Sequence, residues 1–161
     1  MRKAFLLFTI TVFLISCATA EITEKNIQAT AETLDFGDYK SETLTARAWK
    51  AFADKDYPEL FAYVQKNVEL YGEEGKRMNA ELTDFEPVET AAKKWALNDV
   101  GTSLWMMANA YADLKMYPEA VKAYRTLAND YTYSQCWDPK GWYWHPAEGA
   151  SHKAKEYEYL D

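Results

Sequence analysis

The sequence predicts an all-α domain built from helical hairpins, and three observations carry that expectation. Apolar residues recur at helical spacing, with Leu44, Ala48, Ala51 and Phe52 on one face and then Leu60, Phe61, Val64, Val68 and Tyr71 on another. A phrase also recurs. Ala-Asp-Lys-Asp-Tyr-Pro-Glu at 53–59 returns, with one residue of slip, as Ala-Asp-Leu-Lys-Met-Tyr-Pro-Glu at 112–119, so Tyr57, Pro58 and Glu59 stand 60 positions before Tyr117, Pro118 and Glu119. Finally, 161 residues that are 48% hydrophobic, 27% charged and 16% aromatic suit one domain with a real core, because aromatic side chains bury large areas.

The first residues read as an export signal. Arg2 and Lys3 precede the apolar run 4–15, which is the length of a secretory apolar region and too short to span a bilayer comfortably. Leu14-Ile15-Ser16-Cys17 resembles the lipobox of bacterial lipoproteins: an aliphatic residue, then a small one, then cysteine. That resemblance implies a signal peptide over 1–16, acylation of Cys17 and anchorage in the membrane, with Ala18 rather than aspartate after it pointing to the outer membrane and a domain facing the periplasm. Ala18-Thr19-Ala20 offers ordinary cleavage after Ala20 as the alternative.

Residues 17–40 are polar and unpatterned, and are expected to serve as a tether, with some helix between Glu21 and Thr33; the folded domain is expected over 41–161. Ser41 and Glu42 can cap the first domain helix. Pro58 suits the first turn of the second, and Gly72 is expected to stop it at Tyr71. The intervening segment is expected to hold a helix near Glu73 to Leu82, a loop at Thr83 to Pro87 and a helix from Val88 to about Ala96. Asn98 or Asp99 then caps a long helix in which Gly101 permits close backbone approach.

The second copy of the repeated phrase resembles the tetratricopeptide repeat family. Leu104, Ala108, Tyr111, Tyr117, Ala120 and Tyr124 fall at the family's large, small and aromatic places, whereas Leu127 and Thr132 depart from it. The first copy matches at Leu44, Ala48 and Tyr57 only, and the likeness covers roughly 70 residues. The resemblance implies a short right-handed stack of helical hairpins, here with inserted helices and a C-terminal capping helix. Its function would be a protein-binding scaffold of the cell envelope, with Trp49, Trp105, Asn109 and Asp113 on the concave face. The lysines with which some members clamp a peptide carboxylate are missing.

The tail 135–146, Gln-Cys-Trp-Asp-Pro-Lys-Gly-Trp-Tyr-Trp-His-Pro, holds three of the six tryptophans. Asp138 to Gly141 reads as a turn. One reading has the tryptophans clamp a final helix, Ala147 to Leu160, onto Tyr124, Leu127 and Tyr131. The other makes Trp137, Trp142 and Trp144 a stacking platform for a glycan of the cell wall. The net charge of −7, or −9 once Arg2 and Lys3 are removed, excludes nucleic acid as a partner. No enzyme, cofactor or metal is expected. Cys136 and His145 lack an orienting third group, and Cys136, Asp138, His145 and His152 lack paired ligand spacing.

Overall fold

The computed structural model describes residues 22–160, so the signal segment and Cys17 lie outside the described residues. Six α-helices carry most of the described chain: α1 (Glu24–Thr33), α2 (Ser41–Asp54), α3 (Tyr57–Ala80), α4 (Trp95–Asp113), α5 (Tyr117–Asp130) and α6 (Ala150–Tyr157). Two short strands, β1 (Cys136–Asp138) and β2 (Trp142–Trp144), pair antiparallel between α5 and α6. The all-α expectation therefore holds at the level of helix content, and the strand pair is an addition to it.

The two recurrences of Tyr-Pro-Glu both mark bends between packed helices. Before each bend the chain passes through one left-handed lysine, Lys55 at φ 59° and Lys115 at φ 60°. The next amide then reaches back to the carbonyl five residues earlier: Asp56 N–H donates to Ala51 O at 2.9 Å and Met116 N–H donates to Tyr111 O at 2.9 Å. This closes the helix C-terminus on its own orphan carbonyls. Pro58 and Pro118 then sit in the first turns of α3 and α5, where a missing N–H costs nothing. Equivalent residues are buried alike: Leu44 and Leu104, Ala48 and Ala108, Leu60 and Ala120.

α3 and α4 contribute to both cores, α3 giving Met78 to the second. Met106 and Ala110 join Ile27, Leu44, Leu60, Phe61 and Val64 on one side, while Leu97, Val100, Leu104 and Ala108 join Tyr124, Leu127, Tyr131, Ala150 and Ala154 on the other. Between α2, α3 and α4 lies a polar seam. Buried Asn67 donates through Nδ2 to Thr45 Oγ1 and to Ser103 Oγ, both at 2.9 Å. Hydrogen bonds in such a seam specify which helix faces meet, since an unpaired amide there is costly.

Several expectations are corrected. Residues 22–40 are not a free tether. Thr23 caps α1 by accepting from Asn26 N–H at 3.2 Å, α1 packs on α3, and Ile27 and Phe36 are buried. Phe36 meets Tyr63 edge-on at 5.7 Å, and Tyr63 Oη donates to Asp35 O at 3.2 Å. Gly72 does not end its helix either, because α3 runs on to Ala80 as one element, and no separate helix forms from Glu73. The reason is tertiary: Tyr131 lies across the buried Gly72 and Gly75, where a Cβ on Gly75 would come within 2.9 Å of its ring. Its hydroxyl donates to Gly72 O at 3.1 Å. The absent side chains make the slot, which outweighs the roughly 1 kcal/mol helix penalty of each glycine.

The helix expected from Val88 reduces to a 3-10 turn at Ala91–Lys94, and α4 starts at Trp95 without a cap from Asn98 or Asp99. Asn98 instead donates to Ala91 O at 2.8 Å and accepts from Gln135 N–H at 2.8 Å. The final helix is shorter than expected and starts at Ala150, past buried Pro146. It docks through Ala150, Ala154 and Tyr157, whose ring stacks 5.6 Å from Tyr117 and 6.0 Å from Tyr124.

Tyr131→Phe tests the slot. Losing the hydroxyl leaves Gly72 O without that donor while the ring still fits, so urea denaturation should show a loss of about 1 kcal/mol with an unchanged slope. A Phe variant as stable as the parent would show that the ring alone fills the slot.

Candidate functional site

The first helices of the two hairpins, α2 and α4, pack together and open a groove on their outer side, which the β-hairpin walls off. The turn at its tip forms as expected. Asp138 Oδ1 accepts from Lys140 N–H at 2.8 Å, Asp138 O accepts from Gly141 N–H at 2.8 Å, and Gly141 takes φ 100°. Left-handed backbone of this kind favours glycine. Trp144 anchors the hairpin on α4, meeting Trp105 edge-on at 5.0 Å. Trp105 in turn lies 5.8 Å from Trp49 and 5.9 Å from Phe52, so the indoles form a continuous cluster from α2 to the hairpin.

The groove has a cavity volume of about 590 Å3. Glu42 and Trp49 of α2, Trp95 and Asp99 of α4, and Trp137 and Tyr143 of the hairpin are among its walls. Trp137 is 51% exposed and stands 5.1 Å from Tyr143. A smaller adjoining pocket of about 320 Å3 shares Glu42, Trp95 and Asp99 and adds Tyr71, which meets Trp95 edge-on at 5.4 Å.

Asp99 is the site's electrostatic centre. It is half-buried, and its Oδ2 accepts from Ser41 Oγ–H at 2.6 Å. Burial pushes its carboxyl up to about 6, against the lowering effect of the Ser41 bond, with nearby Glu42 adding to the rise. A carboxyl raised by burial and placed in an aromatic cleft makes Asp99 a candidate binding residue. It was legible only in part. Asp99 is the one charged residue between Trp95 and Ala112, a signal that sequence reading assigned to a helix cap instead.

The structure brings together Trp49, Trp105, Trp137 and Trp144, and separates others from them. Asn109 is engaged within the fold, donating to Trp105 O at 2.7 Å and accepting from Lys153 Nζ at 3.4 Å. Asp113 accepts from Tyr57 Oη at 3.1 Å and so ties the two hairpin bends together. Trp142 is 51% exposed near the hairpin tip, paired across the ladder with Asp138. Side chains alternate along a strand, so Trp142 and Trp144 share one face while Trp137 and Tyr143 share the other. The three hairpin tryptophans therefore do not form one flat surface.

Cys136 also lines the groove, and burial pushes its thiol up, away from the reactive thiolate. His145 stacks on Phe85 at 3.8 Å and sits 3.3 Å from Glu148. Among the described residues, no group of three or more His, Cys, Asp or Glu is placed to hold a metal ion. None of the described helices is long and apolar enough to cross a membrane.

Compared with models of known protein families, with curated proteins and with solved structures, the chain has no match.

Proposed function

We propose that this chain is an interaction scaffold of the bacterial cell envelope: a tetratricopeptide-like pair of helical hairpins held at a membrane by an acylated Cys17, which grips a protein partner in the groove between α2, α4 and the β-hairpin. One observation carries the reading. The two hairpins share the same bend, through Lys55 and Lys115, and set their first helices side by side along a groove with exposed aromatic walls. Helical repeats present such surfaces to partners because their remaining faces are spent on stacking. Aromatic anchors supply much of the binding energy at protein interfaces.

Affinity capture from native membranes after mild crosslinking tests it. Trp49→Ala with Trp137→Ala should lower partner recovery at least tenfold, with the helix content unchanged by circular dichroism. Trp105→Ala is a poorer probe, because the half-buried Trp105 lies between Trp49 and Trp144 and its loss acts first on stability. Partner recovery undiminished by the double variant would reject the groove. For the anchor, the parent protein should enter the detergent phase on phase separation and Cys17→Ser should not; a serine variant that still partitions would remove the lipid from the account.

A second reading, a glycan-binding module, is favoured by the exposure of Trp137 and Trp142, at 51% each. It requires tryptophan fluorescence to change with cell-wall fragments, and that change to disappear in Trp142→Ala. Because Trp144 is turned onto Trp105, the protein-partner reading accounts for more of the tail.

A further inference from the structure

We infer that the groove receives a basic peptide segment of the partner, with a lysine or arginine side chain seated between Asp99, Glu42 and the surrounding aromatic rings. This inference rests on the scaffold reading and specifies the chemistry of the partner.

The composition of the walls points to a cation. Glu42 and Asp99 are the charged groups among the described residues lining the groove, and no lysine, arginine or histidine lines it. In the adjoining pocket, the ammonium of Lys40 is already paired with Asp38 at 2.9 Å. Around the two carboxylates stand the rings of Trp49, Trp95, Trp137 and Tyr143, with Trp95 43% and Trp137 51% exposed. Carboxylates rimmed by aromatic faces suit an ammonium or guanidinium, which gains both an ion pair and attraction to the ring faces. The full chain carries a net charge of −7, and −9 once Arg2 and Lys3 are removed, so its long-range field also steers a basic partner inward and an acidic one away.

Asp99 has a particular part. Its carboxylate accepts from Ser41 Oγ–H at 2.6 Å, and burial biases it toward the neutral form. A cation arriving beside it reverses that bias and supplies the partner a desolvated carboxylate lacks. Glu42 is exposed at the rim and serves the approach. A neutral glycan could stack on the rings and donate its hydroxyls to the carboxylates, but it would bring no charge to offset theirs.

The test places a photo-crosslinking amino acid at Ala92, an exposed residue lining the groove, in the full chain within native membranes. The crosslinked peptide is sequenced by mass spectrometry, and yield is compared with Glu42→Gln/Asp99→Asn. The expected result is a captured segment rich in lysine and arginine, with at least a fivefold loss of yield in the double variant and a fold intact by circular dichroism. A neutral or acidic segment, a glycan or lipid adduct, or a yield indifferent to the two substitutions would overturn the inference. A second probe at Glu119, on the opposite groove between α3, α4 and α5, separates the failures. A partner captured there and not at Ala92 rejects the basic-segment site and leaves the scaffold standing. Capture at neither position removes both.

Discussion

Replacing Gly101 by alanine should destabilise the fold by about 3 kcal/mol, lowering the melting temperature by roughly 10 °C for a chain of this size. In an exposed helix the same change would help by about 1 kcal/mol, because glycine is the poorer helix former. Here the sign is decided by space. A Cβ on Gly101 would lie 2.4 Å from Ser134 Cβ and 2.5 Å from its Oγ. Ser134 is fully buried and has nowhere to retreat. Its amide is bonded to Tyr131 O at 3.1 Å, and the next residue, Gln135, is held at both ends. Gln135 N–H donates to Asn98 Oδ1 at 2.8 Å, and its side chain exchanges hydrogen bonds with the Glu86 backbone at 3.0 and 3.1 Å. Something must move, and every candidate is anchored. Gly149→Ala is the matched control. Its backbone has φ −82° and nothing lies within 4 Å of a Cβ there, so that variant should be neutral or gain about 0.5 kcal/mol. Urea denaturation of both variants decides the matter; equal behaviour would mean that the loop after α5 is not seated on α4 as described.

Asp99→Asn should stabilise the protein by about 2 kcal/mol at pH 7 and by almost nothing at pH 4. In the folded chain burial raises the Asp99 carboxyl from its ordinary value of 3.8 to about 6. Between those values the native state binds more protons than the unfolded state. This group's contribution therefore falls as pH rises through about 4 to 6 and stays low above that. An asparagine keeps an oxygen to accept from Ser41 Oγ–H, which bonds to Asp99 at 2.6 Å, and carries no charge to desolvate. The difference between parent and variant in urea midpoint, followed from pH 4 to pH 8, isolates Asp99 because all other titrations are common to both. A difference that does not change with pH would show that the carboxylate is well solvated. A gain at neutral pH would also mark the residue as one kept for binding rather than for stability, and partner capture should then be weakened by the same substitution.

Much of the fold was legible because its signals are local. The period of Leu44, Ala48, Leu60, Phe61 and Val64, the two Tyr-Pro-Glu bends, and the Pro-Lys-Gly turn at 139–141 each depend on residues near one another in the chain. Gly101 was read correctly as a place of close approach, although the sequence did not name Ser134 as what approaches. The misjudged features share one cause. Gly72, Asn98 and Asp99 carry local tendencies to end or cap helices, and each is overruled by a partner far along the chain: Tyr131, Gln135 and Ser41 respectively. Residues 22–40 looked like a polar tether because the apolar content of Ile27 and Phe36 is too sparse to show a period, yet each finds a socket on the first hairpin pair. The candidate site was half visible. Trp49 and Trp137 were singled out on separate grounds, and nothing local indicated that they line the same groove.

What the sequence alone determined is the helical character of the two hairpins and the Tyr-Pro-Glu bend within each, since propensity, period and turn chemistry act within a few residues and are written in order along the chain. What only the tertiary structure decided is which side chains meet across them: that α3 continues through two glycines, that a strand pair carries Trp144 onto Trp105, and that a half-buried carboxylate stands among indole rings. Those outcomes depend on burial and on contacts between residues 36 to 59 positions apart, where the free energy of packing and desolvation exceeds any local preference.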